Sequence, residues 1–97
     1  MIKVYDKAKW HIEAGEDKND VLERFAIMYS FLKNKHLLSN EGLDIIKSGV
    51  DSSISLDEYT VNEEGKKFLN NCYDIVVELN EKELVTKLNK LYNDFVK

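Results

Sequence analysis

Thr60 to Leu79 reads TVNEEGKKFLNNCYDIVVEL. Within it Val61, Gly65, Phe68, Cys72, Ile75 and Leu79 recur at alternating steps of four and three. That spacing is the apolar stripe of an amphipathic helix. Thr60 followed by Glu63 has the form of a capping box, so the helix is expected to start there. Gly65 lies on the stripe in the first turns, where glycine lowers helix propensity by about 1 kcal/mol relative to alanine. Close approach of another backbone or a large ring is the expected compensation.

Working back toward the N-terminus, residues 51–58 form a linker. There Ser55 and Glu58 suit a single capped turn, and the alternation of Ile54 and Leu56 suits a brief extended piece. A short helix is expected from Asn40 to Ser48, capped by Ser39 or Asn40 and stopped by Gly49, with Leu43 and Ile46 inward. A long helix is expected from Val21 to Lys35, with Asp20 as cap and Glu23 three residues on. Its stripe is Leu22, Phe25, Tyr29 and Leu32, widened by Val21, Met28 and Phe31. Residues 13–19 read as a polar loop. In the opening stretch Asp6 can cap a short turn through Lys7–Trp10. Ile2 to Val4 alternates but has no evident strand partner, and Tyr5 and Trp10 are expected to fold onto the bundle where Gly65 leaves space. Toward the C-terminus, Asn80 and Glu83 cap a last helix with Leu84, Leu88, Leu91 and Phe95 as its stripe, flanked by Val85 and Tyr92. The short junction at residues 79–81 predicts an antiparallel helical hairpin.

The expected fold class is all-α: one domain, residues 1–97, a bundle of three to four helices with an irregular aromatic N-terminal segment. Ninety-seven residues suffice for one core but not for a deep cleft with a cofactor. The composition, 43% hydrophobic and 33% charged, is that of a soluble globular chain. No apolar run reaches membrane-span length and the N-terminus lacks a signal-peptide core. A lone cysteine, Cys72, lies on an apolar stripe and reads as a structural thiol. A cytoplasmic location is the expectation.

Charge is unevenly distributed. Residues 41–64 hold Glu41, Asp44, Asp51, Asp57, Glu58, Glu63 and Glu64 against a single base, Lys47, in a chain of net charge −4. Such a block repels phosphate and favours a basic partner. A plain alternative is a solvated surface with acids at helix starts. His11 and His36 lack a second histidine at metal spacing, and no phosphate loop, nucleophile elbow or Ser/His/Asp set occurs. His11 is expected to hydrogen-bond a backbone group or a carboxylate. Adjacent acids such as Asp57-Glu58 are better explained by capping and solvation than by acid–base chemistry. No catalytic residue, metal or cofactor is expected. Tyr5 and Trp10 read either as core or as interface anchors, with core favoured.

The stretch Tyr5-Asp6-Lys7-Ala8-Lys9-Trp10-His11 resembles the opening Tyr-Asp-x-Ala-x-Trp-His of a family of small bacterial proteins. The resemblance extends to the Met28-Tyr29 pair, to Asn62-Glu63-Glu64-Gly65-Lys66-Lys67-Phe68 and to an aromatic position near Tyr73. The chain departs from that family at Phe25-Ala26-Ile27, where a His and a Gly are common, and in lacking a proline after Trp-His. Proteins that look like this are commonly immunity-type partners in toxin systems. The resemblance implies a non-enzymatic immunity protein that binds a cognate toxin domain, with a basic nuclease as the expected toxin. The seven acids of residues 41–64 are the expected contacts. The competing reading is a regulatory or structural interaction module, and a small-molecule enzyme comes third.

Overall fold

A computed structural model describes residues 3–77, 79 and 81–96. The element order is β1 (Val4–Lys7), α1 (Ala8–Glu13), α2 (Lys18–Asn34), α3 (Asn40–Ser48), β2 (Ser55–Asp57), α4 (Glu63–Val76) and α5 (Glu81–Val96). The chain is mostly helical, with a small two-stranded sheet.

The helical bulk agrees with the all-α expectation, and the sheet corrects its irregular N-terminal segment. The N-terminal segment is not irregular: β1 runs antiparallel to β2, with Val4 opposite Asp57, Asp6 opposite Leu56 and Lys7 opposite Ser55. Tyr5 is the extra residue where the register shifts, a bulge. The strand partner is the extended piece at Ile54–Leu56. Its two apolar residues are both buried, and the ladder takes up backbone groups that a linker would leave unpaired. Ala8 N–H donates to the Ile54 carbonyl at 3.1 Å, carrying the pairing into α1. The anticipated short turn is this six-residue helix, entered from Lys7 without a side-chain cap.

The cap of α2 falls three residues before the expected Asp20, at Asp17, whose side chain accepts from Asp20 N–H at 3.1 Å. Its buried face is Val21, Phe25, Met28, Tyr29, Phe31 and Leu32, with Leu22 only half-buried. α3 has the expected bounds, with Ser39 as its cap and Gly49 in the left-handed region at its end. Leu43 and Ile46 are half-buried and pack on the core from its edge.

α4 is capped by Asn62, not Thr60: Asn62 Oδ1 accepts from Gly65 N–H at 2.9 Å, and Asn62 Nδ2 donates to the His36 carbonyl at 2.7 Å. Thr60 is buried and bonds Asp57 instead, accepting from its N–H at 3.1 Å and donating to its carbonyl at 3.0 Å. The stripe of α4 is Gly65, Phe68, Leu69, Cys72 and Val76; Ile75 is exposed. Phe68 near the start of α4 stacks edge-on with Phe95 near the end of α5, 5.5 Å between centroids, so the two helices are antiparallel. Phe31 and Tyr92 complete this aromatic group, joining α2 to both. On α5 Leu84 and Leu88 are buried, while Leu91 and Phe95 pack from the side. The expected Asn80 cap lies outside the described residues.

Gly65 does meet a close neighbour, but not Trp10. A Cβ there would stand 2.5 Å from the Leu37 carbonyl oxygen and 2.8 Å from Val61 Cβ. Trp10 is 49% exposed, which overturns the expectation that it fills the core. α1 spans only six residues, and the face it buries carries Ala8.

Candidate functional site

Two features concentrate polar chemistry. The first is the acidic region. An antiparallel bridge between Leu38 and Val61, with Ser39 N–H donating to the Thr60 carbonyl at 3.1 Å and Asn62 N–H to the Leu37 carbonyl at 2.9 Å, ties residues 37–39 to 60–62. The bridge sets the starts of α3 and α4 beside the turn at 57–60. Gly42 makes this possible, since a Cβ there would stand 2.1 Å from the Thr60 carbonyl oxygen. Glu41 lies in the first turn of α3, and Glu63 and Glu64 lie in the first turn of α4. Carboxylates there offset the positive end of the helix dipole.

The seven acids do not form one free surface. Asp51 accepts from Ser53 N–H at 2.9 Å and from Ser53 Oγ at 2.5 Å. These bonds hold its carboxyl below the usual range. Asp57 is half-buried, accepting from Tyr59 N–H at 2.9 Å and Ser55 Oγ at 3.0 Å. Glu58 accepts from Lys3 N–H at 2.9 Å while its own N–H donates to the Lys3 carbonyl, extending the ladder. Glu63 pairs with Lys66 at 2.9 Å, which lowers its pKa, and Glu64 lies 3.6 Å from Lys67. Glu41 and Asp44 are exposed on α3, three residues apart and so on one face. Asp44 and Asp51 line a shallow groove floored by Ile45 and Ile54.

Sequence reasoning passed over Tyr59. It is 60% exposed, and its carbonyl accepts from Ser39 Oγ at the cap of α3. Its backbone is held at the cap of α3 next to the Leu38–Val61 bridge, which no local pattern announces.

The second feature surrounds Asp6. This carboxylate is 5% exposed and lies on β1. It takes His11 Nε2 at 2.7 Å and the Tyr73 hydroxyl at 2.6 Å. The other ring nitrogen, His11 Nδ1, lies 2.6 Å from Glu16, and Glu16 accepts from Arg24 at 2.5 Å. Burial pushes the Tyr73 hydroxyl far up, with the Asp6 charge and hydrogen bond adding to it. The network lines a cavity of about 20 Å³, room for one water, with Phe25, Met28, Leu56 and Val76. Both His11 nitrogens face carboxylates, so neither is free to take a proton from a substrate. Of the partners expected for His11, a backbone group or a carboxylate, the structure supplies the carboxylate, and does so twice; the network joins β1, α1, α2 and α4.

Cys72 is buried, its thiol bonded to the Phe68 carbonyl at 3.2 Å and pushed up to about 11 by burial, which leaves it a poor nucleophile. Among the described residues no group of His, Cys, Asp or Glu is arranged to hold a metal ion, and no helix is long and apolar enough to cross a membrane. Comparison with known proteins finds no matching family model, no matching curated protein and no matching solved structure.

Proposed function

We propose that this chain is a non-enzymatic binding protein of the cytoplasm whose acidic face meets a basic protein partner. The partner is a toxin domain that the chain neutralises, with a basic nuclease as the expected class. The observation that carries this reading is Tyr59, an exposed ring that follows Glu58 in the chain and whose carbonyl is bonded to the Ser39 cap of α3, in an acid-rich region. A central aromatic bordered by charge is the usual anatomy of a binding hot spot. The toxin assignment rests on the resemblance at Tyr5–His11 and Asn62–Phe68. Glu41, Asp44, Glu63 and Glu64 supply the outer charge, which raises the association rate. Asp51, Asp57 and Glu58 act chiefly by holding the turns that present them.

A structural module without a toxin is the second reading. It is favoured by the apolar groove between α2 and α5, lined by Ala26, Ile27, Phe31 and the exposed Val85.

The test is coproduction in a bacterial host with the toxin domain encoded by the adjoining reading frame, reading growth and calorimetric affinity. Tyr59→Ala weakens binding by at least about tenfold. Glu41→Lys with Glu64→Lys slows association and reduces its dependence on salt. Lys87→Glu with Lys90→Glu, on α5, leaves protection intact. Protection that survives the first two changes and fails with the third would place the partner on the opposite face. A stable dimer with no protection would favour the structural module.

A further inference from the structure

We propose that His11 is the bolt of a proton-dependent latch that ties α1 to the start of α2, closed when the ring carries two protons and open when it carries one. The latch does not depend on the binding role of the acidic face.

A neutral imidazole has one N–H donor, and an imidazolium has two. Here Nε2 lies 2.7 Å from Asp6 and Nδ1 lies 2.6 Å from Glu16. Both contacts are hydrogen bonds only if both nitrogens are protonated. When one proton leaves, one lone pair must face a carboxylate. The buried Asp6 keeps its donor, because solvent cannot replace it there. Glu16 is exposed and can turn to water, so the Nδ1 contact is the one that breaks. Glu16 is then held by Arg24 alone, and α1 loses its ion-pair link to α2 while the edge-on contact of His11 with Phe25 remains.

The groups facing the ring come from every packed element. Asp6 comes from β1, Glu16 from the α1–α2 turn, Arg24 and the edge-on Phe25 from α2, and Tyr73 from α4 through Asp6. Burial alone would lower the pKa of His11, but the hydrogen bonds and charges of Asp6 and Glu16 outweigh it, and the net shift is upward from 6.5. For Glu16, burial would raise the pKa, but His11 and Arg24 outweigh it, and the shift is downward from 4.5. A raised histidine pKa gives stability that is complete below 6.5 and lost as pH rises through the folded value. A lowered carboxyl pKa gives stability present above 4.5 and lost as pH falls through the folded value. The latch is therefore closed between the folded Glu16 pKa, below 4.5, and the folded His11 pKa, above 6.5, and a rise of pH through the latter opens it. Trp10, the sole tryptophan, adjoins His11 and reports the opening.

The experiment follows the His11 ring by NMR, the amide exchange of α1 relative to free peptide, and Trp10 fluorescence anisotropy, from about pH 5 to about pH 9. The His11 midpoint lies above 6.5. Exchange protection in α1 and Trp10 anisotropy fall together with that same midpoint. In Glu16→Gln the midpoint moves down and the loosening of α1 moves with it. A wild-type midpoint at or below 6.5 overturns the latch. So does α1 protection that stays constant through the His11 titration, and so does a Glu16→Gln midpoint that does not move.

Discussion

Gly65 shows how one atom is felt across the molecule. It lies on the buried face of α4 while the chain after α2 crosses over it, leaving the Leu37 carbonyl where a Cβ would stand. Gly65→Ala gains helix propensity but forces that backbone aside. The expected balance is a loss of roughly 1–3 kcal/mol, read from urea unfolding, and a stabilised variant would refute the close approach. That a glycine on an apolar stripe needs a close neighbour follows from its spacing. Which neighbour it has does not. Leu37 lies far from it along the chain, and the Leu37–Val61 region meets only through pairing that sequence period does not encode. His11 is similar: its carboxylate bond was legible in type, but Tyr73 as the second donor to Asp6 was not. Trp10 failed as a core residue because a large ring signals burial only on average.

At the scale of elements, spacing placed the long helices and misplaced the first residues of α2 and α4. Thr60 and Asn62 both suit a cap, and so do Asp17 and Asp20. The choice for α4 falls to Asn62 because its amide also reaches the His36 carbonyl, while Thr60 is occupied by the Asp57 turn. Asn62→Ala is therefore expected to cost about 1–2 kcal/mol in chemical unfolding, since it frees Gly65 N–H as well as that carbonyl. A change within error would return the cap to another residue. The strands were the hardest elements to read. β2 spans three residues, and β1 includes a bulge, so neither shows a full period-two alternation.

Across the whole molecule, the aromatic group of Phe31, Phe68, Tyr92 and Phe95 joins α2, α4 and α5, while the Asp6 network joins β1 and α1 to α2 and α4. A chain bound together at both ends should unfold as one unit. Helical circular dichroism and Trp10 fluorescence are expected to give coincident urea transitions, and a separate early Trp10 transition would divide β1–α1 from the bundle. The sequence by itself determined the helical content, the spans of the four longer helices to within a few residues, the buried thiol and the acid-rich character of residues 41–64. These are local properties, carried by the spacing of apolar side chains and by charge along the chain. Only the tertiary structure decided that Val4–Lys7 is a strand, that Asp6 gathers His11 and Tyr73, and that the Tyr59 carbonyl meets the cap of α3. Each of these depends on residues distant in sequence whose backbone groups must find partners when buried, and that requirement acts through space.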